Sequence, residues 1–210
     1  MKKLLLIALI LIGFNGFTQT FKSGAILGVS AAQVEGDGYG GYKKPGLILG
    51  AFTNTDFSDH VSLQFEIYYI GKGARKVPDP AKGDFRSFNL RLNYLEIPLV
   101  VRYRHKSFFF ELGAYYGYLL NVKMEDQFGE VNIQQNPFPF KSADIGGILG
   151  LEYHINDNFI FNFRTKNSLV PIRDFNNLDQ NIGFLNKLFN RGWYNVDLNF
   201  SIRYQLIGKN

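Results

Sequence analysis

The stretch that decides the fold is Asn93–His105, NYLEIPLVVRYRH. Leu95, Ile97, Leu99, Val101 and Tyr103 are apolar at every second position, which is the period of a β-strand. Between them stand Glu96, Pro98, Arg102 and Arg104. A strand with one wet face accommodates such charges, but proline cannot donate to a ladder. The remaining sequence must explain which face is wet and where the proline is tolerated.

Seven further runs alternate in the same way. Strands are expected at about 22–32, 45–54, 61–72, 90–104, 108–123, 143–155, 159–167 and 194–206. In the third, Val61, Leu63, Phe65, Ile67 and Tyr69 oppose Ser62, Gln64, Glu66 and Tyr68. In the last, Val196, Leu198, Phe200, Ile202 and Tyr204 oppose Asn195, Asp197, Asn199, Ser201 and Arg203. The composition agrees, with 21 Phe, 12 Tyr and 22 Gly in 210 residues, a mixture that suits strands and turns better than helices.

Alternation alone also fits a soluble sandwich. The connections distinguish the two. Short turns at 55–60, 105–107 and 156–158 alternate with long loops at about 33–43, 73–89, 124–142 and 168–193. Outer-membrane barrels combine short periplasmic turns with long extracellular loops, and eight strands is their smallest size. Apolar-face aromatics also cluster beside the short turns, at Tyr103, Phe108, Tyr153, Phe159 and Tyr204. A membrane–water boundary selects such a belt. The expectation is an all-β, eight-stranded, antiparallel up-and-down transmembrane β-barrel with periplasmic termini, in a bacterial outer membrane.

On that reading the apolar set of 95–103 faces lipid and the charges point inward. An eight-stranded interior is only wide enough to be filled by side chains, and a buried charge needs a partner. The expected structural lumen charges are Glu66, Glu96, Arg102, Glu111, Glu152, Arg164, Asp197 and Arg203, with Lys166 as a further partner. Bulky Tyr68, Phe109 and Tyr115 should close the lumen, and the small inward residues Gly113, Gly117, Gly146 and Gly150 should make room for them. Pro98 calls for a bulge within Asn93–Pro98. The apolar pattern runs on even numbers through Phe88, Leu90, Leu92 and Tyr94, then on odd numbers from Leu95. One extra residue near Tyr94–Leu95 restores the facing; the alternative is that residues before 94 project above the membrane.

The chain begins MKKLLLIALILIGFNGFTQT. Two lysines, a short apolar run and small or polar residues read as a secretory signal peptide. The expected organisation is 1–19 signal peptide and 20–210 barrel domain. Intact-mass analysis of membrane-extracted protein should show Met1 to about Thr18 missing; retention of Met1 contradicts this. The formal charge is +5, and loss of Lys2 and Lys3 reduces it to +3. That excess is weak evidence for a nucleic-acid partner, and none is expected. There is no cysteine, which rules out disulfides and thiolate metal sites.

Four segments resemble the PorT-like outer-membrane β-barrel family: LQFEIYYIGKGAR (63–75), LNYLEIPLVVRY (92–103), FELGAYYGYLL (110–120) and VDLNFSIRY (196–204). YLEIP is the most specific of them. The resemblance implies an eight-stranded outer-membrane barrel without a catalytic motif, from a family named for a component of type IX protein secretion. Many outer-membrane barrels end on an aromatic residue; this chain continues past Tyr204 with QLIGKN.

The resulting expectation is a non-enzymatic, monomeric barrel whose role lies in its extracellular loops or outer wall. Its partners are outer-membrane lipid and secretion or envelope proteins; no cofactor, metal or catalytic residue is expected. The alternative is a lipid-modifying outer-membrane enzyme, which needs a His with a Ser or carboxylate near the lipid interface. His60, His105 and His154 all fall at the short-turn end, and no two share a ligand spacing. Lumen carboxylates acting as an acid–base pair are disfavoured by the arginines beside them. In 175–190, Leu178, Ile182, Leu185, Leu188 and Phe189 have the rough spacing of a short capping helix.

Overall fold

A computed structural model describes residues 21–133, 138–174 and 192–206. The expected signal peptide, capping helix and last four residues lie outside them. Eight long strands follow in order: β1 (Phe21–Glu35), β2 (Lys44–Asp56), β3 (Val61–Lys76), β4 (Phe88–His105), β5 (Phe108–Asp126), β6 (Ala143–His154), β7 (Phe159–Ser168) and β8 (Gly192–Leu206). Each pairs antiparallel with the next, and β8 returns to β1 in an unbroken register from Ser23–Leu206 to Glu35–Tyr194. The sheet is therefore closed, and no long strand leaves an unpaired edge. Two-residue strands at Gly129–Glu130 and Arg173–Asp174 extend β5 and β8 at the long-loop end.

Burial inverts the usual order. Leu27, Leu49, Leu99, Leu112 and Leu149 are each more than half exposed, whereas Glu66, Glu96, Glu152 and Asp197 are completely buried. The period-two pattern produces this directly, since one face of each strand turns into the ring and the other out of it. At the short-turn end the outward aromatics form neighbouring pairs, Phe108 with Tyr153 and Phe159 with Tyr204, with ring centres 5.0 and 5.2 Å apart.

The interior is not polar throughout. Leu90, Leu92 and Tyr94 are fully buried and join Val34, Ile70, Met124 and Ile172 in an apolar cluster at the long-loop end. This corrects the expectation that residues before 94 either face lipid or stand above the membrane. The even-numbered residues of β4 point inward without a break from Leu90 to Arg102. The apolar pattern changes parity because the interior changes character, from apolar plug to ionic layer.

The expected bulge does occur in this stretch, with the register shifting between Asn93 and Tyr94, but the extra residue belongs to the neighbouring strand. Asn93 faces Asn121 and Tyr94 faces Leu119, so Leu120 of β5 is the unpaired residue. Below it Tyr115 and Gly117 face inward, and above it Met124 does; the bulge lets one strand serve both layers. Pro98 is accommodated differently. On the β3 side the register runs straight from Phe65–Leu99 to Tyr68–Glu96, with the two intervening pairs missing from the ladder. Deleting Leu120 removes the extra residue and leaves Asn121 opposite Asn93 and Met124 inward, so it should keep the unfolding midpoint in detergent near wild type. Deleting Val100, from the unbroken alternation of β4, should turn Arg102 toward lipid and lower the midpoint. Equal midpoints for the two deletions contradict the role given to Leu120.

Candidate functional site: the charged lumen

Among the described residues six carboxylates and five cations fill the middle of the ring, in two layers. The layer nearer the short turns holds Glu66, Glu111 and Glu152 with Arg102, Arg164 and Arg203. Arg164 of β7 grips two glutamates at once. Its Nη1 and Nη2 each donate to Glu66 at 2.7 Å, while Nε and Nη2 donate to Glu111 at 2.6 and 2.8 Å. Such two-pronged pairing is the geometry that guanidinium and carboxylate planes favour. Arg203 of β8 bonds Glu152 closely and lies 3.2 Å from both Glu66 and Glu111. Arg102 of β4 closes the layer, 3.0 Å from Glu152 and donating to Gln64 at 2.8 Å. Three acids meet three arginines, so the layer is neutral when all are ionised.

The second layer holds Glu96, Asp144 and Asp197 around Lys72 and Lys166. Glu96 bridges the two ammonium groups, at 2.6 Å from Lys72 and 2.5 Å from Lys166. Asp197 spans them as well, at 3.2 and 3.4 Å, and Asp144 is 3.2 Å from Lys72. Ser168 and Asn195 donate to Asp144 at 2.7 and 2.9 Å, and Asn199 donates to Asp197 at 2.8 Å. The Tyr115 ring lies between the lysines, its centre 4.4 and 4.8 Å from their nitrogens. An aromatic face contributes attraction for a desolvated cation. Hydrogen bonds and ring faces thus supplement the charges where acids outnumber bases.

The expected lumen charges are all inside, divided between the layers. Glu66, Arg102, Glu111, Glu152, Arg164 and Arg203 form the first, and Glu96 and Asp197 join the second. Sequence reading missed Lys72 and Asp144 as members. The signal was there: Lys72 shares the even parity of Glu66 along β3, and Asp144 shares that of Glu152 along β6. Apolar Ile70 beside Lys72 concealed it.

Packing leaves little open space between the layers. A Cβ on Gly146 would sit 2.4 Å from the Tyr115 ring, and one on Gly150 would sit 2.3 Å from Glu111. These glycines make room for large neighbours. A cavity of about 840 Å³ opens at the short-turn end and reaches Ser62, Arg102 and Phe109. There Arg102 lies over the Phe109 ring at 4.6 Å, and His154 stacks on the same ring at 4.3 Å. His154 is 3.4 Å from Glu152, a carboxylate already held by Arg102 and Arg203. The arrangement can hold charge in place; its acids and bases face each other.

A ring of strands that is apolar outside and ionic inside has its counterpart among known families. Residues 13–174 match the family model described as outer membrane protein beta-barrel domain. The chain belongs to this outer-membrane β-barrel family. Solved structures of similar fold include Neisserial surface protein A, at 11% identity and a TM-score of 0.53, the match covering 90% of this chain and 100% of that one. Ail, the attachment invasion locus protein of Yersinia pestis, matches at 13% identity and a TM-score of 0.50, over 88% of this chain and 98% of its own. At these identities the likeness is one of fold. No curated protein matches the sequence. Family and fold together place this β-barrel in the bacterial outer membrane.

Proposed function

We propose that this is a non-enzymatic, monomeric, PorT-like outer-membrane barrel with periplasmic termini, whose role is carried by its extracellular loops or outer wall. The observation that carries this reading is the filled lumen. Every lumen carboxylate is within ion-pair distance of a buried arginine or lysine, which leaves the loops and the lipid-facing wall as the surfaces free to meet a partner. The short turns and their aromatic pairs support a periplasmic assignment of that end, since outer-membrane barrels generally place short connections there. The charge network serves structure: it joins β3, β4, β5, β6, β7 and β8 across the ring. A lipid-modifying enzyme is the weaker reading, because its histidines would be confined to the periplasmic end.

The resemblance to the PorT-like family makes type IX protein secretion or envelope integrity the process to test first. A deletion strain should lose secreted cargo or gain detergent sensitivity, and the wild-type chain should restore it. A chain with 78–86 replaced by a Gly–Ser linker should insert but fail to restore. Full restoration by that chain contradicts a role for this loop, and an unaffected deletion strain contradicts both processes. Orientation is read separately. The chain has no cysteine, so Gly40→Cys in a long loop and Asp157→Cys in a short turn give clean reporters. A membrane-impermeant maleimide should label the first on intact cells and not the second. The reverse pattern overturns the orientation.

A further inference from the structure

We propose that the outer wall of β3–β5 at the long-loop end binds the phosphate groups of outer-leaflet lipid. This rests on the orientation proposed above, which places the long loops outside the cell.

The position follows from the register. Arg91 of β4 is paired with Gly73 of β3 and Lys123 of β5, and Arg75 stands one level higher, beside Asn89. Arg75 and Arg91 are exposed. Four residues below Arg91, Leu95 is flanked by Tyr69 and Tyr118. At roughly 3.3 Å per residue and a strand tilt near 40°, the cations stand about 10 Å above those rings. Tyrosines on a lipid-facing wall sit at the headgroup boundary, so the cations are at the depth of lipid phosphates. Between the tyrosines and the short turns the outward residues of β3 and β4 are Val61, Leu63, Phe65 and Ile67, then Ile97, Leu99, Val101 and Tyr103. Charge begins only where the apolar band ends.

The cations are also incompletely neutralised. Among the described residues no carboxylate pairs with Arg75 or Lys44, and Lys44 is close enough to feel the positive charges of both Arg75 and Arg91. Arg91 and Lys123 share Glu125, at 3.3 and 3.5 Å, and Lys123 also reaches Glu130 at 3.3 Å. Asp126, which lines the same cleft, accepts from the N–H of Phe128 at 2.7 Å. This cleft, of about 570 Å³, is lined by Lys44, Arg75, Ser87 and Arg91 together with Glu125 and Asp126, and Ser87 supplies a hydroxyl beside the two guanidinium forks. Arginine forks match phosphate oxygens two at a time, and anionic headgroups attract basic residues at this depth. Across the ring the loop-end charges differ: Lys141 is paired with Asp174 at 2.8 Å, and β1 ends on Glu35. Among the described residues the basic wall is confined to one side.

Native mass spectrometry of the detergent-purified full chain tests this, with diphosphoryl lipid A and its phosphate-free form as probes. The wild type should retain the diphosphoryl form at least tenfold more than the phosphate-free one. R75Q/R91Q should reduce retention to the phosphate-free level with an unchanged unfolding midpoint, and K82Q/R86Q, in the loop above, should not. Equal retention of the two probes, or full retention by R75Q/R91Q, overturns the proposal. Inorganic phosphate at millimolar concentration should not displace the lipid; displacement assigns the site to free phosphate and overturns the lipid reading. Retention is measured in detergent and orientation on cells, so failure of either is distinguishable from failure of the other.

Discussion

Replacing Arg164 with alanine should destabilise the folded barrel by about 3–5 kcal/mol, the usual cost of leaving a buried ion pair without one partner. The large effect comes from the number of groups it abandons. Arg164 donates to both Glu66 and Glu111 through contacts of 2.6–2.8 Å, and neither carboxylate reaches bulk water. Arg203 remains near both, but at 3.2 Å and already committed to Glu152. Denaturant unfolding in detergent, followed by the gel shift between folded and heated forms, gives the midpoint. Two controls separate the ion pair from simple loss of volume. Arg91→Ala removes an exposed pair with Glu125 and should cost no more than about 1 kcal/mol. The triple variant R164M/E66Q/E111Q, which neutralises the abandoned acids, should recover part of the loss. An unchanged midpoint for Arg164→Ala contradicts the network's structural role.

Replacing Lys72 with methionine should be at least as damaging, although the side chain keeps its length. Two ammonium groups already serve three carboxylates in that layer, and Lys72 is the one within 3.2 Å of all three. Its loss leaves Lys166 alone with Glu96 and Asp197, and leaves Asp144 with only Ser168, Asn195 and Tyr115 as partners. Hydrogen bonds from neutral groups offset part of the cost of a buried carboxylate, and less of it than a cation does. Adding Asp144→Asn to Lys72→Met should raise the midpoint again. If Lys72→Met folds with wild-type stability, charge balance does not hold this layer together.

The ring of strands was legible in the sequence because strand period, turn length and aromatic placement all pointed the same way. Glu66, Glu111 and Arg164 share inward parity on strands that are plainly alternating, so their convergence could be read from the strand pattern alone. The apolar plug could not. Leu90, Leu92 and Tyr94 look like a lipid-facing set because hydrophobicity marks both lipid and a dry interior, and parity alone does not separate the two. The extra residue of the bulge was assigned to the wrong strand for the same reason: a change in what the interior holds mimics an inserted residue along β4. Its true seat at Leu120 falls in a run, Tyr118–Asn121, where apolar residues sit on both parities. Which charges pair across the ring also depends on strand stagger, which no single strand encodes.

The central claim is that side chains close the lumen. Eight strands enclose too little space for an aqueous channel, and conducting porins use sixteen or more. Here two ionic layers and an apolar plug occupy what space there is. Purified monomer reconstituted in a planar bilayer should therefore show no steady single-channel conductance at moderate voltage and salt. Reproducible, voltage-independent conductance steps from the monomer contradict a closed, charge-filled lumen.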